Sequence, residues 1–424
     1  MPPSLDGATL ATLAIAFLAT AGVIIRPWKL PEAVWAVLGA ALLVGFGLLP
    51  WGQALAAVRR GGDVYLFLVG MMLLSEVARR EGLFDWLAAF AVRRSRGSAR
   101  RLFLLVYAVG TVVTTFLSND AAAVVLTPAV FAAARAAKAD PLPHLFVCAF
   151  IANAASFVLP ISNPANLVLY GGHMPPLATW LGRFLLPSVL AIVATFVMLR
   201  LVERKALADP IGSDIPQPAL SAAGWAALGG IVVTALVLLG ASAADLQLGL
   251  PTCLSGVATV AVVLLARGQD RMPALRETLR DVSWAVLPLV AGLFVLVAGL
   301  AHTGLLTKLA DALHDAARSD MRLTAWACGI GLAILCNLMN NLPAGLIAGQ
   351  AIVQAHLPTP VVDALLVGVD LGPNLSITGS LATILWLTAL RREGLEVSFG
   401  RFLARGALVM PPALLLALVG LLLA

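Results

Sequence analysis

The 424-residue chain is 60% hydrophobic and only 12% charged, with a mean hydropathy of +0.96. A soluble domain is roughly a quarter charged, so this composition excludes one and indicates a polytopic α-helical membrane protein. The net charge of +6 is not a nucleic-acid signal, because the Arg and Lys sit in short loops between apolar runs, where they orient spans with positive charge inside.

The first apolar run, 9–25, is preceded by Asp6 and no basic leader, so it reads as a retained span and not a cleaved signal. Further runs of spanning length occupy 33–50, 63–78, 143–174, 177–202, 222–240, 246–266, 283–300, 361–390 and 402–424. Two apolar stretches, 102–134 and 323–356, are interrupted by polar residues. Crossing the hydrocarbon takes about 20 helical residues at ~1.5 Å each. Around "TTFLSNDAAAVVLTP", residues 102–117 supply 16 before Ser118-Asn119-Asp120, and residues 121–134 supply 14 after it. A re-entrant hairpin with that triplet at its tip, near mid-membrane, fits better than two full spans. Segment 79–101 carries a net +5, and Arg135 and Lys138 follow the hairpin. A hairpin keeps both basic segments in the cytoplasm, whereas a single crossing would export one of them. On the same count Arg200, Arg204, Lys205, Arg267, Arg271, Arg276, Arg280, Arg391 and Arg392 fall inside, and Arg59 and Arg60 fall outside against the rule.

The polar linker "ERKALADPIGSDIPQPALS", 203–221, bisects the chain into halves 1–202 and 222–424. Adding 222 to a residue number maps Gly70 to Gly292, Gly82-Leu83 to Gly304-Leu305, Asn119 to Asn341 and Ala122 to Ala344. Beyond the hairpins an offset of 208 places Asn166-Leu167 over Asn374-Leu375. Five spans precede the linker, so the second half inserts upside down and its hairpin opens from outside. There, segment 301–322 is net zero. The expected fold is an all-α inverted repeat, with five transmembrane helices and one re-entrant hairpin in each half.

Inverted repeats with interrupted helices are the architecture of secondary transporters, whose sites lie near mid-membrane. Four polar breaks are candidates: Ser118-Asn119-Asp120, Ser162-Asn163-Pro164-Ala165-Asn166, Asn340-Asn341, and Gly372-Pro373-Asn374 with Ser376. Unwound backbone is tolerated in a membrane only where protein or a cavity surrounds it. The substrate-contacting candidates are Ser118, Asn119, Asn163, Asn166, Asn340, Asn341, Asn374 and Ser376, which offer donors and acceptors to a small, oxygen-rich, poorly charged solute. The competing reading is that these side chains cap broken helices and bond packed helices together. Asp120 is the sharpest residue, because an intramembrane carboxylate is costly and its repeat counterpart is Leu342. That asymmetry points to proton coupling, with Asp370 as a second acid; the competing reading is a salt-bridged or capping aspartate.

Other polar residues read more plainly. Glu76 and Asp363 fall near membrane edges as solvated ends, and His302 and His314 lie in an outer loop. Asn153 and Asn337 read as interhelical bonding residues. The cysteines Cys148, Cys253, Cys328 and Cys336 form no CxxC and lie apart, which argues against disulfides, structural zinc or a thiolate site. No GxSxG or HExxH occurs, so no enzyme, cofactor or metal centre is expected.

The segments "FLSNDAAAVVLTP", "PISNPANLVLYGGHMPPLATWLGRFLLPS", "NNLPAGLIAG" and "GVDLGPNLSITGSLATILWLTALRREG" closely resemble the arsenite/antimonite efflux permeases of the ion transporter superfamily. The resemblance covers both halves. It implies export of arsenite and antimonite from the bacterial cytoplasm across the inner membrane, driven by the proton-motive force. It also implies scaffold and transport domains in each protomer, elevator-type alternating access, frequent dimers, and in some systems a cytosolic arsenite-stimulated ATPase. Relatives carry Ser-Asn-Thr in each half; Asp120 and Asn340-Asn341-Leu342 depart from it, which favours protons over sodium. Arsenite near neutral pH is mostly an uncharged trihydroxide, which Asn119, Asn166, Asn341 and Asn374 would ring. Uncharged cargo draws nothing from the membrane potential, so uphill export needs a counter-ion and Asp120 is its expected carrier. A cation/proton antiporter of the same superfamily is the alternative.

Overall fold

In a computed structural model, which describes residues 6–171, 174–212, 216–268 and 270–423, the elements are all helical. Linker residues 213–215 lie outside the described ones. The first half comprises α1 (Gly7–Ile25), α2 (Glu32–Gly45), α3 (Trp51–Arg60), α4 (Gly62–Arg80), α5 (Leu83–Ser95), α6 (Ala99–Phe116), α7 (Asn119–Ala121), α8 (Thr127–Ala136), α9 (Pro141–Ala154), α10 (Pro164–Tyr170) and α11 (Leu177–Val202). The second comprises α12 (Ala222–Ala243), α13 (Gly249–Arg267), α14 (Arg271–Asp281), α15 (Val286–His302), α16 (Leu305–Ser319), α17 (Met321–Met339), α18 (Asn341–Ala355), α19 (Thr359–Leu371), α20 (Leu381–Arg392) and α21 (Phe399–Leu423). Among the described residues eight helices are long and apolar enough to cross a membrane, or nine if the bent pair α3–α4 is one span. The protein is a multi-pass membrane protein.

Short polar side chains start many of these helices, satisfying amides that the helix leaves unpaired. Asp6 accepts from the Thr9 amide at 2.8 Å, Asp140 from Leu142 at 3.0 Å, Ser221 from Gly224 at 3.0 Å and Asp320 from Leu323 at 2.9 Å. Packing then repeats between halves with the partners exchanged: α4 lies on α13, and α15 on α2. With lipid as solvent, close approach of backbones holds such pairs together more than apolar burial does. The glycines matched by the sequence repeat occupy these crossings. A Cβ on Gly70 would run into the Thr252 backbone, and one on Gly292 would sit 2.7 Å from the Ala36 carbonyl carbon. Gly256, on α13, would meet the Gly70 carbonyl oxygen at 2.7 Å.

The hairpin geometry appears in both halves. Gly97 and Ala137, at the two feet of the first hairpin, accept the amides of Ile211 at 3.0 Å and Gly212 at 2.7 Å from one short stretch of linker. Helix α5 packs against both arms, and α16 does the same in the second half. The His314 ring Nδ1 lies 2.9 Å from the Ala355 carbonyl, which fastens the foot of α18. The arms are longer than the sequence count allowed: α6 has 18 residues and α17 has 19. The count stopped at the first charge, whereas α6 begins at its Ser98 cap and takes Arg100 and Arg101 into its first turn.

Candidate functional site

At the first tip Ser118 takes an extended backbone, and its Oγ accepts the Ala121 amide at 3.2 Å, opening the returning arm. Asn119 follows, with Oδ1 accepting the Asp120 amide at 2.9 Å. Both side chains are buried. Asp120 is half-buried, and among the described residues its carboxylate makes no ion pair or hydrogen bond. The second tip has the same plan. Asn340 accepts the Leu342 amide at 3.3 Å as the cap of α18, and buried Asn341 opens the helix. Asn340 has φ 77° and ψ 151°, a region used almost only by glycine and costing about 1–3 kcal/mol. Such strain at a polar tip is the kind that functional sites keep.

The other two breaks interrupt the helices α9–α10 and α19–α20. Asn163 caps α10, accepting the Ala165 amide at 3.0 Å, and its Nδ2 donates to Asp370 Oδ1 at the end of α19. That bond joins the two halves at their breaks. Asp370 is fully buried, and its second oxygen has no hydrogen-bond partner among the described residues. The cap equivalent to Asn163 is Ser380, which accepts the Thr383 amide at 3.1 Å. The helical caps therefore align Asn163 with Ser380, an offset of 217, whereas the sequence offset of 208 aligned Asn166 with Asn374; the connections 155–163 and 372–380 have the same length, so the 208 register does not follow the helices.

Asn166, Asn374 and Ser376 face protein instead of open space. Asn166 Nδ2 donates to the Ser156 and Pro160 carbonyls at 3.0 and 3.3 Å. Asn374 donates to the Phe150 carbonyl at 3.0 Å and accepts from Asn153 Nδ2 at 3.0 Å. Ser376 donates to Asn337 Oδ1 at 2.7 Å, and Asn337 donates to the Ala333 and Gly372 carbonyls. Asn153 and Asn337 are thus interhelical bonding residues, as their intramembrane position indicated. Thr378, Ser380 and Thr383 complete the second break and had not been singled out; Thr378 donates to the Asn337 carbonyl at 2.8 Å. In sequence they look like ordinary small polar residues, and only the 3₁₀ turns around them reveal their place. Ser162 donates to the Thr115 carbonyl at 2.9 Å, tying the first break to α6.

Two acids depart from expectation. Glu76 is buried and not a solvated end; it accepts from Arg79 at 2.5 and 2.9 Å and from Arg80 at 3.0 Å. Asp363 is buried as well, accepting from the Tyr170 hydroxyl at 2.8 Å with Arg183 at 3.5 Å. Burial of a carboxylate requires such partners; those of Glu76 lie three and four residues on along the same helix, whereas those of Asp363 come from segments 193 and 180 residues away. His302 and His314 are exposed. The thiols are free; Cys148 and Cys336 lie against the carbonyls of His144 and Val369.

Each returning hairpin arm packs on the short half-helix of the other half, α18 on α10 and the α7–α8 arm on α20. Hairpin tips beside paired helix breaks, lined by amides and hydroxyls with an unpaired acid, define a membrane transporter. The chain belongs to the citrate transporter family, CitMHS, whose model matches residues 15–392. It is 29% identical over 403 residues to the arsenical pump membrane protein of Escherichia coli (strain K12), covering 91% of this chain and 92% of that one. It shares its fold with the YdaH transporter of Alcanivorax borkumensis, with a TM-score of 0.56 and 18% identity over 98% of this chain and 97% of that one. The antimetabolite efflux pump MtrF of Neisseria gonorrhoeae matches with a TM-score of 0.55 and 12% identity, covering 97% of each chain. The transporter assignment agrees with a non-enzymatic role.

Proposed function

We propose that this transporter exports arsenite and antimonite from the bacterial cytoplasm across the inner membrane in exchange for protons. The observation that carries the reading is the carboxylate of Asp120, held at a hairpin tip with no ion pair among the described residues. An acid in such a place is best used by gaining and losing a proton, since its charged form has no permanent partner. Asn119 and Asn341, buried at the two tips, are the first contacts for cargo, with Ser118 and Asn340 holding the tips open as caps. Asn163 and Asp370 join the halves at the breaks, and Asp370 serves as the second proton site. Asn166, Asn374 and Ser376 keep the breaks in shape from behind.

The cargo reading rests on chemistry and on the name of the Escherichia coli relative. An uncharged trihydroxide needs donors and acceptors without net charge, which amides and hydroxyls supply. A tricarboxylate, the cargo in the family's name, would need cations at the tips, and the described hydrogen-bond partners of Asn119, Asn163, Asn166, Asn340, Asn374 and Ser376 include no Arg or Lys. Movement would be of the elevator type, with the hairpins and broken helices travelling against α1–α4 and α12–α15. Expression in cells stripped of their own exporters tests the cargo directly. Lower steady-state arsenite and antimonite in expressing cells is the expected result; unchanged accumulation together with citrate-dependent growth would refute it.

A further inference from the structure

A second site lies far from the breaks, where α6 begins and α11 ends. A cavity of about 320 Å³ there is lined by Arg100, Arg200 and Arg204 with Phe196, Val197, Leu201 and Leu207. Arg100 near the start of α6, Arg200 in the last turn of α11 and Arg204 just past it all line the cavity, and no carboxylate is among its described lining residues. Glu203, the acid next in sequence, is turned away: it is buried and accepts from Arg405 at 2.5 Å. Among the described residues the lining is therefore basic and apolar. Phe196 is fixed in that floor by Tyr107, whose ring lies 5.1 Å away and whose hydroxyl donates to the Ile192 carbonyl at 2.6 Å. The Arg200 guanidinium stands over the Phe196 ring at 6.0 Å.

The apolar side does not stop at the cavity. Leu185, Val189, Val193, Val197 and Leu201 are all exposed, and their four-residue spacing aligns them in one stripe along α11. The stripe leads from the arginine cluster along the length of a helix long enough to span the bilayer. A soluble anion would use the arginines and leave the stripe idle, whereas an amphiphile uses both. Basic pockets at the inner membrane surface attract anionic headgroups, at about a fivefold gain in affinity per arginine.

We propose that this cavity binds the headgroup phosphate of an anionic phospholipid of the inner leaflet, with an acyl chain lying along the α11 stripe. Arg100, Arg200 and Arg204 share the phosphate as charge-assisted donors. Native mass spectrometry of the full-length protein, purified in mild detergent and titrated with phosphatidylglycerol or phosphatidylcholine, tests the assignment. The wild type should hold phosphatidylglycerol at least about tenfold more tightly than phosphatidylcholine. The triple variant Arg100→Ala/Arg200→Ala/Arg204→Ala should lose that preference, and the triple Lys variant should keep most of it. If the Ala variant does not purify, single Arg200→Gln and Arg204→Gln variants should each weaken the lipid about fivefold. Equal retention in wild type and variants would overturn the proposal. So would displacement of the lipid by inorganic phosphate at matched concentration, which would mark a free-anion site.

Discussion

Asn163 and Asp370 link the two halves at their helix breaks, and each answers for the other. Replacing Asn163 with Ala leaves a fully buried carboxyl without that donor, a loss of about 1–3 kcal/mol. We expect a clear fall in thermal stability for Asn163→Ala, with recovery in the double variant Asn163→Ala/Asp370→Asn, whose amide carries no charge. Equal stability of the single variant and the wild type would contradict the bond. At the C-terminal end of α4, Arg80 donates to Glu277 at 2.7 Å and Asp281 at 2.9 Å on α14. Hydrogen bonds from Arg80 hold both carboxyls below their ordinary values. Groups lowered on folding stabilise the fold above the ordinary carboxylate pKa of about 4, and that contribution is lost as pH falls through the lowered values. Thermal unfolding in detergent should therefore lose a step at acid pH in Arg80→Ala that the wild type shows. The four cysteines test the opposite idea: replacing all of them with Ser should leave transport of antimonite intact, and failed binding in that variant would restore a thiolate site.

Helix crossings carry the repeat. Gly256 and Gly292 admit no side chain without moving backbone on the partner helix, so Gly256→Val or Gly292→Val should cost about 1–3 kcal/mol as overpacked contacts. Valine at Gly45, where a Cβ meets nothing within 4 Å, is the control and should fold normally; equal behaviour of all three would remove the argument from close packing. At this scale the sequence was most readable. The helical class, the helix breaks at Ser118 and Asn340 and the close-packed glycine pair Gly70/Gly292 were legible because apolar length and repeat spacing are local quantities. Ser118 and Asn340 were legible as tips, and the structure makes both of them caps. What was not legible depends on partners from remote segments. Nothing local shows that Arg80, beside Glu76 on α4, reaches Glu277 and Asp281 on α14, or that Asp363 meets Tyr170. Nor does it show that Asn166 spends its amide on the Ser156 and Pro160 carbonyls.

Across the whole molecule the two halves share one element order and one set of exchanged contacts, yet only one tip carries an acid. The two halves supply two polar tips and two broken helices, and in the proposed exchange the unmatched Asp120 supplies the coupling. The proposed coupling rests on that asymmetry. It is tested by purified protein in proteoliposomes, with antimonite accumulation followed after a pH jump, with and without an uncoupler and with sodium varied. Wild type should concentrate antimonite only while the proton gradient lasts and regardless of sodium, and Asp120→Asn should lose accumulation while still exchanging antimonite across the membrane. Accumulation by Asp120→Asn equal to wild type, or accumulation that ignores the proton gradient, would contradict it.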